Sequence, residues 1–206
     1  PYTHPYNLPK YHALQLRSLQ FAQAHGRQLL WLAAQDRPIS GENQSLSGEA
    51  LRHRRESWLQ LHDMQTAGIM GLLSLVRGPP VRFTCTVDRC RGIFKHGRGT
   101  LTVWHLQPLD AERVAGCEEP ELVLAPMPKC RYVQVPGAEW TVHATLGKGI
   151  LPLAPVYRAW SRGRDGKVRR HGFTLVADFS GTAHSYTGAT LPVAIVNCLS
   201  YHAAPK

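Results

Sequence analysis

The stretch Gly172–Cys198, GFTLVADFSGTAHSYTGATLPVAIVNC, sets Thr182, His184, Gly188 and Thr190 between two apolar runs. A hydroxyl and an imidazole can both hydrogen-bond a phosphate or a facing domain. Small residues such as Ala183 and Gly188 let a ligand or a second backbone come close. A short loop at the carboxyl end of a parallel strand is also where open α/β sheets place their chemistry. The same spacing suits a plain strand-to-turn connection with a capped histidine. A third reading makes His184 part of a nucleophilic enzyme with Ser185 or Cys198. No acid stands in an orienting position for that, and adjacent Ser and His do not by themselves form a triad.

Just upstream, WSRGRDGKVRRHGF predicts a hairpin turning at Asp165-Gly166, a favoured pair for a two-residue loop. Its rims carry Arg158, Arg162, Arg164, Lys167, Arg169 and Arg170. Guanidinium groups grip phosphate oxygens bidentately, so this cluster suits a nucleic-acid backbone. Composition points the same way: 24 Lys and Arg against 14 Asp and Glu leave a net charge of +10. An excess of that size favours a polyanionic partner, the alternative being a merely soluble basic protein. Trp104, Trp140 and Trp160 are candidates for stacking on bases, and equally candidates for the core. The arginines of Glu49–Met64 read as a solvated helix face.

Other chemistry is harder to support. The five cysteines form no Cys-x-x-Cys pair and are odd in number, which suits reduced thiols in an intracellular protein, nuclear or organellar compartments staying open. Cys85 and Cys90 with a nearby His lack the second ligand pair of a zinc site, so no metal is expected. No apolar run approaches the ~20 residues needed to span a bilayer, and no signal-peptide order opens the chain. The chain begins at Pro1, and we read it as a piece of a longer protein.

The elements that must position these residues follow from periodicity. YNLPKYHALQLRSLQFAQAHG predicts a helix, with Asn7 and Pro9 as start signals, Gly26 as the stop, and Tyr11, Leu14, Phe21 and Ala22 on one face. Arg27–Asp36 then reads as a buried strand, and Ile39–Gly48 as a loop before the Glu49–Met64 helix. From Leu72 on the pattern changes to short alternating strands: Val81 to Val87, Gly97–Gln107, RYVQV, EWTVHATL and VYRAWSR. FTLVADF, broken only by Asp178, and LPVAIVNCL read as strands covered on both faces. Helix-then-strand over the first forty residues, buried strands in the tail that return to that layer, and short strands between predict one α/β domain interrupted by a small antiparallel barrel.

VRRHGFTLVADFSGTAHSYTGATL resembles motif V of Pif-type and RecD-like DNA helicases, where a basic pair and a Phe lead into a strand ending in Thr-x-His. Arg169 and Arg170 match the basic pair, Phe173 the aromatic, Thr182, His184 and Gly188 the motif, and Thr190-Leu191 the Thr-Leu after it. LLSLVRGPPVRFT resembles the lead-in to the Src-homology-like barrel inserted in the second RecA-like domain. HGRGTLTVW resembles the barrel's Asn-Gly-x-x-Gly turn, with His96-Gly97 and Gly99 as its counterparts. The segment around YNLPKYHALQLRSLQFA is similar to the region of motif IV.

The resemblance implies a partial RecA-like (P-loop NTPase type) parallel sheet with an inserted antiparallel barrel. Residues 1–72 would begin the second RecA-like domain, 73–170 form the barrel with its basic hairpin, and 171–206 return carrying motif V. Thr182 and His184 would face the backbone of single-stranded DNA, with Arg169 and Arg170 nearby. Two positions depart from the pattern: Ser185 stands for Lys and Thr187 for Gln. No Gly-x-x-x-x-Gly-Lys-Ser/Thr and no strand ending in Asp-Glu occur, and Gly147-Lys148 has no hydroxyl after it. ATP and Mg²⁺ would therefore belong to the full-length protein, with a missing N-terminal RecA-like domain as partner, and this chain alone would hydrolyse nothing. The alternative is a basic nucleic-acid-binding β-barrel module without motor activity.

Overall fold

The computed structural model describes residues 2–3, 7–124, 126–161, 166–181 and 195–196. Among them the elements are β1 (Tyr2–Thr3), α1 (Asn7–Ala24), β2 (Leu29–Ala33), β3 (Gln35–Pro38), α2 (Gly48–Leu59), β4 (Leu72–Leu75), β5 (Pro80–Phe83) and β6 (Arg98–His105). Then come α3 (Pro108–Ala115), β7 (Glu121–Leu124), β8 (Cys130–Gln134), β9 (Ile150–Leu153), β10 (Val156–Ser161), β11 (Lys167–Gly172), β12 (Leu175–Ala177), β13 (Ser180–Gly181) and β14 (Ile195–Val196). The result is mixed α/β with several separate sheets.

Helix α1 forms where expected. Gly26 ends it with φ 57, a left-handed conformation that glycine adopts without steric cost. Tyr11, Leu14 and Ala22 are buried on its inner face. Ser18, buried beside them, donates to the Leu14 carbonyl (2.9 Å) and pairs with the Ser74 hydroxyl of β4 (2.8 Å). Strand β2 lies beneath the helix, antiparallel to β4 on one edge and parallel to β7 on the other. Successive side chains of a strand point to opposite faces. Leu29 and Trp31 therefore meet Ala22 and Val76 on the helix side, while Leu30 and Leu32 enter the main core. Cover on both faces explains the unbroken apolar run.

The far side of that core is a five-stranded antiparallel sheet in the order β12-β5-β6-β8-β9. Val81, Phe83, Leu101, Val133, Leu151, Leu153 and Leu175 fill the space between the two sheets, with Phe173. A bulge between Leu101 and Val103 reverses the phase of β6. Val103 consequently faces out, and Trp104 turns in against the core. Gly99 lies within β6, not in a turn, and a Cβ there would sit 2.4 Å from Val133 Cγ1 and 2.8 Å from the Gln134 carbonyl oxygen. The turn itself is Phe94–Gly97, closed by Gly97 N–H to the Phe94 carbonyl (3.0 Å). His96 holds φ 70 there, the left-handed region in which Asn or Gly is commoner.

Several sequence expectations need correction. No closed barrel forms among the described residues: the five-stranded sheet stays open, with β12 and β9 as its edges. Leu175–Ala177 of FTLVADF joins that sheet antiparallel to β5, and not a parallel layer with LLWLAA or VAIVNC. The parallel layer is a smaller sheet in which β13 and β14 flank β1. EWTVHATL is a run of turns, not a strand. There the Thr145 N–H donates to His143 Nδ1 (3.2 Å), a local bond that competes with ladder formation. The boundaries drawn at 72/73 and 170/171 fall inside β4 and β11.

Gly99→Ala is expected to force β6 and β8 apart and to lower stability by about 1–3 kcal/mol. Urea unfolding followed by circular dichroism measures this, and an unchanged midpoint would contradict the close approach of the two backbones.

Candidate nucleic-acid interface

The expected basic hairpin is present, as β10 paired antiparallel with β11. Ser161 faces Lys167, so five residues and not two connect the strands. The reason is at Gly166, with φ 91, where a Cβ would lie 2.0 Å from the Ser40 carbonyl oxygen. Gly166, the last residue of the connection, is packed onto the Ser40–Gly41 backbone. Arg162 and Arg164 fall in this connection, outside the described residues.

β11 pairs on its other edge with β3, giving the sheet β10-β11-β3. Register and the two-residue period assign the side chains to faces. On the outer face, Tyr157 stands opposite His171, His171 opposite Gln35, and Arg169 opposite Arg37, with Lys167 at the end of the row. Tyr157 is 62% exposed, enough to offer a ring face to a ligand. Its ring stacks on His171 with centroids 4.2 Å apart and planes at 14°. The Arg169 guanidinium lies 5.3 Å from the Tyr157 ring centroid, within cation–π range. Partial burial holds the His171 imidazole below its ordinary value of 6.5. Aromatic faces beside cations suit the bases and phosphates of a single strand. Arg158 belongs to the opposite phase of β10 and lies with its Nη2 3.9 Å from Cys85 Sγ. The sequence reading missed Tyr157, His171 and Arg37. Strand alternation in YRAWS and KVRRHG carried the first two, whereas Arg37 comes from 132 residues away and no local signal marked it.

Arg170 is the main correction to the expected site. It occupies the inward phase of β11, opposite Asp36 on β3, and its exposure is 0%. Nε and Nη2 donate to the two Asp36 carboxylate oxygens at 2.8 and 2.6 Å. Nη2 also donates to the Trp58 carbonyl (2.8 Å) and Nη1 to the Ile69 carbonyl (3.2 Å). Trp160 Nε1 reaches Asp36 Oδ1 at 3.4 Å, and Trp160 meets Trp58 of α2 edge to face. Of the basic pair, then, Arg169 faces outward and Arg170 ties the hairpin to α2. Trp160 is likewise core, and Trp104 and Trp140 pack half-buried against the main core.

Asp178 fixes the point where the chain leaves β12. Its carboxylate lies between Arg98 Nε (2.8 Å) and Arg82 Nε (3.5 Å), and its N–H donates to the Pro80 carbonyl (2.8 Å). This clamp holds β12 where it leaves the antiparallel sheet for β13. Thr182, His184, Gly188 and Thr190 lie beyond it, outside the described residues. Gly147-Lys148 is placed in the turn before β9. Lys148 Nζ pairs there with Glu139 Oε2 at 2.8 Å, and a strand and not a helix follows.

Arg170→Met is expected to cost about 3–5 kcal/mol by leaving the Asp36 carboxylate buried alone. The double change Arg170→Met with Asp36→Leu should recover most of that loss, and Arg169→Ala should stay within about 0.5 kcal/mol of the parent. Urea unfolding of the three variants decides between a structural and a surface role. For His171 the unfolded chain binds the proton more tightly, so stability falls as pH drops below 6.5 toward the folded value. NMR titration should find the His171 midpoint below 6.5, and His171→Gln should remove its share of the slope.

No protein-family model matches the chain, and no curated protein matches it in sequence. Solved structures do. The Pif1 helicase from Candida albicans aligns with a TM-score of 0.53 over 95% of this chain, at 12% identity. Bacteroides Pif1 bound to ssDNA aligns with a TM-score of 0.47 over 95% of the chain, also at 12% identity. The chain spans 38% of the Candida helicase and 33% of the Bacteroides one. Its architecture is that of a Pif1-like helicase fold.

Proposed function

We propose that the chain is the C-terminal part of a helicase-like protein and binds single-stranded DNA, or other nucleic acid, across the outer face of β10-β11-β3. The observation that carries this reading is the row Tyr157, His171, Arg169 and Arg37, an aromatic stack flanked by arginines from two strands. The net charge of +10 favours the same class of partner over a neutral one. In this reading the parallel strands β13, β1 and β14 belong to the second RecA-like layer, and the five-stranded sheet to its inserted Src-homology-like unit. Thr182, His184, Gly188 and Thr190 keep the motif V role in coupling nucleotide to DNA.

ATP and Mg²⁺ are assigned to the full-length protein and its N-terminal RecA-like domain. Gly147-Lys148 does not fit a triphosphate cradle: the pair precedes a strand, and its lysine is engaged by Glu139. A basic binding module without motor ancestry would use the same outer face. The parallel strands β13-β1-β14 favour the helicase-derived reading, because such a module needs no parallel layer.

Fluorescence anisotropy with labelled oligo(dT) across a salt series tests the interface. Arg37→Ala and Arg169→Ala should each weaken binding and flatten the plot of log K against log salt by about 0.7 for each phosphate no longer neutralised. Tyr157→Ala should weaken binding, by about 1–3 kcal/mol where a base stacks on the ring, with the salt slope unchanged. Arginine variants that retain the full slope would remove this face from the binding surface.

A further inference from the structure

A cavity of about 760 Å³ opens at the opposite end of β6 from the Asp178 clamp, between α3 and the start of β2. Its size falls in the range that encloses small organic ligands. None of Tyr157, His171, Arg169 or Arg37 lines it, so it is separate from the nucleic-acid interface proposed above.

The cavity exists for reasons visible in the chain. Pro108, Ala111 and Ala115 recur at helical spacing on α3 and line it with little side-chain volume. The β6 bulge turns Trp104 inward to form a wall, and Leu30 and Leu106 add apolar lining. Gln28 holds the opening by donating to the carbonyls of Cys117 (3.1 Å) and Glu119 (2.9 Å), which ties β2 to the chain beyond α3. Three cations, Arg27, Arg77 and Lys129, complete the lining, and no acidic side chain does so among the described residues. The Arg27 guanidinium donates to the Arg77 carbonyl, and the Lys129 backbone N–H to the His105 carbonyl (3.0 Å), which fixes the Arg27 charge and the backbones of Arg77 and Lys129 at this edge.

A further charge lies behind the wall. Arg131 faces Trp104 directly across the β6–β8 ladder and is 1% exposed. Its guanidinium sits 3.9 Å from the Phe173 ring centroid, and Nε and Nη2 have no hydrogen-bond partner among the described residues. Burial pushes its pKa down to about 9, which leaves it charged at neutral pH. A buried cation that no carboxylate neutralises adds positive potential where the dielectric is low.

We propose that this cavity binds a small amphiphilic anion, its apolar body against Trp104, Leu30 and α3 and its acidic group among Arg27, Arg77 and Lys129. A nucleotide and an acyl carboxylate share that chemistry, and competition separates them.

The probe is 8-anilinonaphthalene-1-sulfonate, titrated into the full chain by calorimetry, with N-phenyl-1-naphthylamine as its uncharged counterpart. One bound sulfonate per chain is expected, with the neutral compound bound about fivefold more weakly. Ala111→Trp should abolish binding. Arg77→Gln with Lys129→Gln, which leaves the packing untouched, should weaken it by about five- to tenfold, whereas Arg169→Ala should leave it unchanged. Displacement by adenosine 5′-monophosphate identifies the nucleotide class, and displacement by decanoate the acyl class. Failure of both to displace the probe, equal binding of the neutral compound, indifference to the Arg77/Lys129 pair, or displacement by oligo(dT) would each overturn the proposal. Weakened oligo(dT) binding in Arg169→Ala with the anion still bound at full strength keeps the two sites separate.

Discussion

The hairpin stands on one buried ion pair. Arg170 sits opposite Asp36 in the adjacent strand, donates two hydrogen bonds to its carboxylate, and the pair is sealed from water beneath two tryptophans. Taking both charges out of water is expensive, and the bidentate geometry plus the carbonyls of Trp58 and Ile69 offset most of that cost. The gain is specificity of arrangement. A guanidinium that must meet Asp36, α2 and the Ile69 carbonyl at once admits a single register for β11. A slip of one residue would set Arg169 or His171 opposite Asp36 and send every other side chain of β11 to the opposite face, Val168 and Arg170 outward among them.

That register decides the surface. With Arg170 inward, strand alternation puts Arg169, His171 and Lys167 outward, beside Tyr157 and Arg37. The proposed interface and the ion pair are therefore two faces of one constraint. At the other end of the molecule the β6 bulge acts similarly. One extra residue reverses the phase, so that Trp104 walls the cavity while Val103 is left exposed.

Much of the secondary structure was legible because its signals are local. Asn7, Pro9 and Gly26 bracket α1, and the apolar run at Leu29–Ala33 is a strand covered on both faces. The hairpin was legible too, except for its turn, since the Asp-Gly signal says nothing of Ser40 waiting to pack against Gly166. EWTVHATL misled because strand-like alternation coincided with a histidine that bonds its own turn. The strand containing Leu175 was read as part of a parallel layer because burial on both faces looks the same in a parallel and an antiparallel sheet. Arg169 and Arg170 are neighbours of one type, and composition alone could not assign them opposite fates.

What the amino-acid order determined by itself is the excess of positive charge, the extent of α1, the presence of a buried strand after it, the pairing of β10 with β11, and a motif order resembling that of Pif-type helicases. These are properties of near neighbours or of sums over the chain. The tertiary structure alone decided which arginine is buried, which residue of β6 faces the core, and that Arg37 joins Arg169 from the far end of the sequence. Each of those depends on strand pairing between distant segments. Pairing is selected by the burial of whole faces and the satisfaction of buried charge, which no short window of sequence contains.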